Sequence, residues 1–162
     1  MARIVFLGCA GTGKSRLARA IGARDNVPVL SLDEIWQPDW GSEKTPAFRE
    51  TLARLHDGEA WVSDGNFSAV SFDIRLPRAT LIVCLERPRW LCALRAVRRA
   101  LGRDPVHGLR KLPEALRFIR NFDRINRPLI EKLRNRHGSD VPVVRLRNDA
   151  EVAAFLSRRP SP

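Results

Sequence analysis

The stretch that decides the fold is Gly8-Cys9-Ala10-Gly11-Thr12-Gly13-Lys14-Ser15, which directly follows the apolar run Ile4-Val5-Phe6-Leu7. It matches the pattern G-x-x-x-x-G-K-S/T of a phosphate-binding loop, which lies between a buried strand and a helix. All eight residues of the loop are therefore predicted to bind the phosphates of a nucleotide. The alternative interpretation is a glycine-rich turn that only caps the following helix.

The chemistry of the loop gives several of its residues a role. Gly8, Gly11 and Gly13 can take positive φ, so that successive N–H groups converge on a phosphate. Lys14 is predicted to reach the β- and γ-phosphate oxygens as a catalytic residue, and Ser15 is predicted to hold a metal ion. The expected cofactors are ATP and Mg²⁺.

The composition indicates one domain, residues 1–162. A chain of 162 residues that is 44% hydrophobic can bury one core but is short for two. No apolar stretch approaches the ~20 residues of a membrane span, so we expect a soluble, cytoplasmic protein without a membrane partner. Cys9, Cys84 and Cys92 lack C-x-x-C spacing and are expected to be reduced. The isolated histidines argue against a structural zinc site.

The excess of positive charge is confined to one segment. The net charge is +11, and residues 87–136 contain 15 Lys/Arg against 4 Asp/Glu, whereas charges elsewhere cancel. A cationic segment beside a phosphate-binding loop could clamp a triphosphate, or could bind a nucleic acid. A solvated arginine-rich surface is the third interpretation.

The apolar pattern predicts short strands that alternate with helices. Strands are expected before the loop and at 28–32, 60–63, 80–85 and 141–146. Helices are expected at 14–23, at 45–56 from the Thr45 cap, from Pro88, from Pro113 and after the cap formed by Asn148 and Glu151. Trp90, Leu91, Leu94, Val97 and Leu101 share the apolar face of the helix that begins at Pro88, and residues 102–113 form a break. Pro128 is expected to kink or break the next helix.

This order of elements predicts an α/β fold, a three-layer P-loop NTPase with a parallel sheet covered by helices on both faces. Ligands of such sheets bind at the carboxyl ends of the strands, where Gly8, Asp33, Asp64 and Glu86 fall. Asp64 is predicted to bind Mg²⁺ through water, or else to be a turn residue before glycine. Asp33 is predicted to accept a proton from an acceptor hydroxyl, or else to cap a helix. The acceptor region is expected at about 33–60.

Phosphoryl transfer needs positive charge around the transferred group, and arginine supplies it. The segment of about 95–127 is predicted to be an arginine-rich lid because its arginines flank the expected break at 102–113. Trp36 and Trp40 would form either an aromatic wall for the acceptor or part of the core. The catalytic candidates of the lid are Arg95, Arg99, Arg120, Arg124 and Arg127.

Several motifs in order resemble the bacterial adenylate-kinase-like P-loop proteins known as DNA topology modulation proteins. They are Leu32-Asp33 with Trp36-Gln37-Pro38-Asp39-Trp40, then Trp61-Val62-Ser63-Asp64-Gly65-Asn66-Phe67, then Asp73-Ile74-Arg75-Leu76-Pro77-Arg78-Ala79, then Arg87-Pro88-Arg89-Trp90-Leu91. The resemblance implies the nucleoside-monophosphate-kinase fold, with five parallel strands in the order 2-3-1-4-5, an acceptor region after strand two and a small helical lid. It also implies that Asp64-Gly65 is the metal-supporting strand end.

The sequence departs from true adenylate kinases at two places. The loop ends in Lys14-Ser15-Arg16 where they have Lys-Gly-Thr, and Asn66-Phe67-Ser68 stands where they have Phe-Pro-Arg. The arginine that would hold the phosphate of AMP is thus missing at its usual place, and AMP is not supported as the acceptor. The name of the resembled family describes a regulatory phenotype and identifies no reaction.

Taken together, these features predict a Mg²⁺-ATP-dependent phosphotransferase of the nucleotide and small-molecule kinase class. It would transfer the γ-phosphate of ATP to an unidentified alcohol or phosphate acceptor. The alternative is a regulatory protein with slow ATPase activity that binds nucleic acid through the basic segment. A third possibility is a kinase that acts on the end of a nucleic acid.

Overall fold

The computed structural model of the chain describes residues 2–36, 46–102 and 105–157, except for the side chains of residues 105–108. Its strands are β1 (Arg3–Gly8), β2 (Val29–Ser31), β3 (Trp61–Asp64), β4 (Leu81–Leu85) and β5 (Val143–Leu146). They form one parallel sheet in the order β2-β3-β1-β4-β5. The predicted fold class and strand order are confirmed.

Helices connect the strands and cover the sheet. They are α1 (Lys14–Asp25), α2 (Leu32–Ile35), α3 (Pro46–Leu55), α4 (Ser68–Arg75), α5 (Arg89–Ala100), α6 (Pro105–Asn121), α7 (Arg127–His137) and α8 (Asp149–Ser157). A π-helical turn, Phe122–Asn126, joins α6 to α7. Residues 37–45 of the predicted acceptor region, with Trp40 and Thr45, lie outside the described residues.

The central strand β1 is buried on both faces. Successive side chains of a strand point to opposite sides, so its residues enter two different core clusters. Val5 and Leu7 belong to a core cluster that includes residues of α4, α5, α6 and α7. Ile4 and Phe6 belong to a second cluster, which contains residues of α1 and is covered by α8. This is the three-layer arrangement that the alternation of elements predicts.

The predicted break at residues 102–113 is wrong, because α6 begins at Pro105 and continues through Pro113. Leu112, Phe118 and Ile119 pack against the core around the proline. Packing of one face stabilises a helix more than intrinsic propensity does, so it outweighs one lost backbone hydrogen bond. A helix at α4 was also not expected from the sequence.

The predicted apolar face of α5 points away from the core. Trp90 and Leu101 are 68% and 59% exposed, whereas Cys92, Ala96 and Ala100 are buried. The reason lies in the approach of α5 to the phosphate-binding loop, where a side chain added at Gly11 would lie 2.7 Å from the carbonyl oxygen of Cys92. Only small residues fit that contact, so Trp90 and Leu94 are exposed while Leu91 and Val97 are half-buried.

Two local predictions are confirmed. The α-helical hydrogen bonding gives way to the π-helical turn Phe122–Asn126 just before Pro128, which lies in the first turn of α7 and cannot donate a backbone hydrogen bond. At α8, the side chain of Asn148 accepts from the amide of Glu151 at 2.8 Å and donates to its carboxylate at 2.9 Å. This is the reciprocal cap that the spacing of the two residues predicts.

Candidate active site

The phosphate-binding loop connects the end of β1 to the first residue of α1. Gly8, Gly11 and Gly13 have φ angles of 143°, 81° and 100°, in the region that favours glycine. Gly13 is the N-cap of α1 and has no side chain with which to bond the first amides of the helix. Those amides, at the positive end of the helix dipole, are suited to bind an anion.

Side chains within the loop converge on one carbonyl oxygen. Lys14 Nζ donates to the carbonyl of Cys9 at 3.1 Å, and Thr12 Oγ1 donates to the same carbonyl at 2.8 Å. Burial lowers the pKa of Lys14, while nearby Asp64 opposes that shift. The lysine is therefore held inside the loop, close to a carboxylate.

The side chain of Asn66 fixes the start of the loop. It donates through Nδ2 to the carbonyl of Gly8 at 2.9 Å, and its Oδ1 accepts from the amide of Gly8 at 3.1 Å. Asn66 thus satisfies both backbone groups of the first glycine and ties the end of β3 to the loop. No sequence motif predicts this role for Asn66, although its position directly after Asp64-Gly65 is the signal that could have found it.

A buried arginine, Arg75, holds the backbone at Gly65 and Asn66 in place. Arg75 is fully buried and donates to the carbonyl of Gly65 at 2.6 Å, to the carbonyl of Asn66, and to Ser63 Oγ at 3.1 Å. Burial lowers its pKa to about 9, so the guanidinium stays charged at neutral pH. His56 Nε2 lies 2.9 Å from Ser63 Oγ, and its Nδ1 lies 2.8 Å from the carbonyl of Leu52.

The two predicted metal-binding residues, Asp64 and Ser15, have the chemistry that suits a magnesium ion. Asp64 ends β3, is 3% exposed, and its Oδ1 is buried with no hydrogen-bond partner among the described residues. Ser15 is exposed in the first turn of α1 and lines the same cavity. The described residues contain no cluster of three or more His, Cys, Asp or Glu side chains that would hold a metal unaided. A hydroxyl and one carboxylate suit Mg²⁺, which keeps waters and phosphates in its coordination shell.

The strand before Asp33 ends one residue earlier than predicted, so Asp33 does not directly follow it. The strand β2 stops at Ser31, and Asp33 falls in the short helix α2. Desolvation raises the pKa of Asp33, while Lys14 opposes the shift. A carboxylate with a raised pKa at this place is better suited to accept a proton than an ordinary surface aspartate.

These groups surround one cavity of about 700 Å³. Lys14, Ser15, Asp33 and Asp64 line it together with glycines of the loop. Another wall is largely apolar and contains Phe67, Val70, Phe118, Leu129 and Ile130. Trp36 packs edge-on against Phe48, with ring centroids 5.5 Å apart, and does not line the cavity.

A second cavity of about 660 Å³ lies on the other side of the loop, between α1 and α8. Leu17, Val152 and Leu156 give it an apolar surface, and buried Arg87 also lines it and pairs with Asp149 at 2.9 Å. The two cavities share three lining residues: Gly13, Arg16 and Arg95. Arg16, which was not predicted as a site residue, therefore lies between them.

Two of the five predicted lid arginines line the first cavity. Arg95 donates to the carbonyls of Gly11 and Thr12, at 3.2 and 3.4 Å. Arg99 lines the cavity as well, and its charge acts on Asp33. Helix α5 therefore brings two guanidinium groups to this cavity, and Arg95 also bonds to the loop.

The other three predicted arginines line neither of these cavities. Arg120 and Arg124 are exposed, and neither has a hydrogen bond or ion pair with any residue that the structure describes. Arg127 pairs with Glu86 at 3.6 Å and with Asp123 at 3.3 Å. Glu86 in turn pairs with Arg145 and Arg147, so this strand-end carboxylate belongs to an ion-pair network.

The comparisons with known proteins agree with this geometry at the level of fold. No protein-family model matches the sequence, and no curated protein matches it significantly. Solved structures do match. A shikimate kinase from Bacteroides thetaiotaomicron is 20% identical, with a TM-score of 0.56, and the match covers 96% of this chain and 94% of that chain.

Two further structures are similar. A shikimate kinase from Acinetobacter baumannii in complex with shikimate is 16% identical, with a TM-score of 0.56 over 95% of this chain and 89% of that chain. A gluconokinase from Sinorhizobium meliloti 1021 is 20% identical, with a TM-score of 0.55 over 96% and 91%. The chain has the fold of P-loop kinases. The resemblance to DNA topology modulation proteins stays a prediction. None of the described helices is long and apolar enough to cross a membrane.

Proposed function

We propose that this chain is a Mg²⁺-ATP-dependent phosphotransferase that phosphorylates a hydroxyl group of a small molecule. The observation that carries the proposal is that Lys14, Asp33 and Asp64 line one cavity at the carboxyl ends of three strands. A cation for phosphate, a candidate proton acceptor and a metal-supporting carboxylate are the groups that phosphoryl transfer requires. The fold shared with shikimate kinases and a gluconokinase supports the same class of reaction.

The two cavities divide between two substrates. The cavity between α1 and α8 has an apolar surface suited to a nucleoside, with the phosphates extending over Gly13 toward Lys14. The cavity that contains Asp33 would then receive the acceptor, whose carbon skeleton contacts Phe67, Val70 and Leu129. The junction at Gly13 and Arg16 is where the two reacting groups would meet.

The residues of the chain would act as follows. Asp33 accepts the proton of the acceptor hydroxyl as its oxygen bonds to the γ-phosphorus, and the bond to the oxygen that bridges the β- and γ-phosphates breaks. Lys14 and the amides of the loop stabilise the negative charge on the phosphate oxygens. Arg95 and Arg99 add positive charge from α5. Asp64 and Ser15 would hold Mg²⁺, which when bound neutralises charge on the phosphates.

The test is acceptor-dependent conversion of ATP to ADP. The purified chain would be incubated with Mg²⁺-ATP and a panel of nucleosides, nucleoside monophosphates, sugars and hydroxy acids, and products identified by mass spectrometry. We expect at least one acceptor to gain a phosphate, and we expect chelation of Mg²⁺ to stop the reaction. ADP production that no acceptor increases would contradict the proposal.

A second function, binding of a nucleic acid, is favoured by one observation. Arg120 and Arg124 lie exposed on the segment from α6 to α7, and neither pairs with a described acidic residue. Such charges face solvent and are available to a polyanion. Titration of duplex and single-stranded DNA at two salt concentrations, with and without ATP, tests it. We expect dissociation constants no better than roughly micromolar at physiological salt, and tight ATP-dependent binding would favour the regulatory function instead.

A further inference from the structure

One arginine at the junction of the two large cavities has no partner among the described residues. Arg16 lies in the first turn of α1 and lines both the cavity that contains Asp33 and the cavity between α1 and α8. It is exposed and forms no hydrogen bond or ion pair with any residue that the structure describes. Its guanidinium is therefore available to a ligand that extends from one cavity into the other.

Two other cations beside the loop are bonded to backbone carbonyls. Lys14 Nζ donates to the carbonyl of Cys9 at 3.1 Å. Arg95, which also lines both cavities, donates to two carbonyls of the loop at 3.2 and 3.4 Å. Arg16 differs from both because it has no such bond to give up before it binds an anion.

The space beside Arg16 has room for a chain of phosphates. A Cβ atom added at Gly13, which both cavities share, would meet no atom of the described residues within 4 Å outside its chain neighbours and its own helix. The Cα–Cβ bonds of a helix tilt toward its N-terminus, so a side chain in the first turn covers that end of the helix. Phosphates that cross at Gly13 would therefore pass between the loop amides and Arg16.

We propose that Arg16 is a catalytic residue that bonds to two oxygens of the γ-phosphate of ATP. The proposal rests on the proposed function and adds a residue to the same transfer. In that transfer the acceptor oxygen bonds to the γ-phosphorus, the bond to the bridging oxygen breaks, and the proton of the acceptor goes to Asp33. Arg16 forms no covalent bond and loses no proton.

The shape and charge of arginine suit this place. Its planar fork can donate to two oxygens of one phosphate at once, which the ammonium of lysine does as a point charge only. Charge spreads over the oxygens of the transferred group as the transition state forms, so a cation held there stabilises the transition state more than bound ATP. Loss of Arg16 should therefore affect turnover more than nucleotide affinity.

Arg19, one turn farther along α1, provides a matched control. It is exposed like Arg16 but lines neither of the two large cavities. It pairs with Glu34 at 3.1 Å, and both side chains of that pair are exposed. Because exposed ion pairs contribute little to stability, Arg19→Ala removes one charge from the same helix at little cost to the fold.

The experiment compares wild type, Arg16→Ala, Arg16→Lys and Arg19→Ala. Turnover would be measured at saturating ATP, and calorimetry would measure binding of Mg²⁺-ADP alone and with aluminium fluoride, which mimics the transferred group and needs no acceptor. We expect Arg16→Ala to lower both turnover and affinity for the aluminium fluoride complex by about 10- to 100-fold, the usual worth of a charged hydrogen bond. Affinity for ADP alone should be unchanged, Arg16→Lys should recover part of the loss, and Arg19→Ala should match wild type.

The outcomes separate the role of Arg16 from the proposed function. Wild-type turnover and aluminium fluoride binding in Arg16→Ala would overturn the role of Arg16 alone. An equal defect in Arg19→Ala, or an equal loss of affinity for ADP alone, would overturn it too, since neither depends on contact with the γ-phosphate. Wild-type protein that neither binds nor turns over ATP would overturn the proposed function and the role of Arg16 with it. Should Arg16→Ala not fold, Arg16→Gln supplies the same test.

Discussion

The arginines of α5 and those of the segment from α6 to α7 have the same charge and different surroundings. Arg95 and Arg99 line the cavity that contains Lys14, and Arg95 bonds to carbonyls of the loop. Arg120 and Arg124 are exposed and outside both large cavities. The basic segment therefore has two parts, and position at the cavity, more than the density of charge along the chain, selects the arginines suited to chemistry.

The largest effect on activity should come from substitution of Lys14, the cation of the phosphate-binding loop. Lys14→Ala should lower ATP turnover at least about a hundredfold, because the loop would lose its charge on the transferred phosphate while the fold stays intact. Nucleotide binding by calorimetry and turnover by ADP production check this. Lys132→Ala, which removes an exposed lysine of α7, is the matched control.

Circular dichroism must show that Lys14→Ala is folded for this result to count. If the folded variant binds and turns over ATP as wild type does, the phosphate-binding loop is not the active site. Proximity to the Lys14 cavity would then no longer indicate which arginines act in catalysis.

The two carboxylates of the cavity should give different defects. Asp33→Asn should lower transfer to the acceptor by about 10²–10⁴-fold, the usual worth of a general base, and spare ATP binding and basal hydrolysis. Asp64→Asn should instead raise the Mg²⁺ concentration needed for half-maximal turnover by roughly tenfold or more, because an amide holds the cation's water shell poorly. Turnover measured against acceptor and against Mg²⁺ distinguishes them.

Asp73→Asn is a control for removal of an exposed carboxylate, since Asp73 pairs with Arg49 away from the cavity. An identical defect in Asp33→Asn and Asp64→Asn would mean that the assignment of separate roles is wrong. The contrast between them is independent of which acceptor is used.

The arginines themselves provide the direct test of the comparison. Arg99→Ala should lower turnover by about a hundredfold with little change in ATP affinity, because the charge acts mainly as the transition state forms. Arg99→Lys should restore only part of the rate, since lysine lacks the planar fork of arginine. Arg124→Ala should leave turnover unchanged. A comparable loss in Arg124→Ala would show that the α6–α7 segment closes over the cavity during turnover.

Much of the fold could be predicted because its signals are local. The loop between β1 and α1, the apolar strands and the cap at Asn148 depend on residues close together in the sequence, and the structure contains each of them. The path of α6 through Pro113 and the outward face of α5 could not be predicted, since both depend on contacts between distant segments. The close approach of Gly11 to Cys92 decides which face of α5 is buried, and no periodicity in the sequence reveals it.

The same division holds for the site. The sequence predicted Lys14, Asp33, Asp64, Arg95 and Arg99, and these five residues meet at one cavity, while their roles stay predictions. The roles of Asn66 and Arg75 were not predicted because both side chains form hydrogen bonds with backbone groups elsewhere in the chain. Residues of that kind have no motif of their own and are found through their hydrogen bonds.

Buried Arg75 provides a third environment for arginine, and its neighbour His56 makes that environment sensitive to acid. Arg75 Nη1 donates to Ser63 Oγ, and Ser63 can donate to His56 Nε2 only while that nitrogen is unprotonated. Burial lowers the pKa of His56 from 6.5 to about 4. The neutral imidazole ring is thus part of the hydrogen-bond network that holds the backbone at Gly65 and Asn66.

Stability should therefore fall as the solution is acidified below pH 6.5. In that range the unfolded chain binds a proton at His56 and the native protein does not, down to about pH 4, so the free energy of unfolding decreases with decreasing pH. Between pH 6.5 and 5 we expect a loss of about 1 to 2 kcal/mol from this group. Urea unfolding of wild type and His56→Gln at the two pH values isolates it, because other titrating groups contribute equally to both proteins. An equal pH dependence in both would show that His56 is protonated in the native state as readily as in the unfolded chain, and that the ring does not depend on its neutral form to support Arg75.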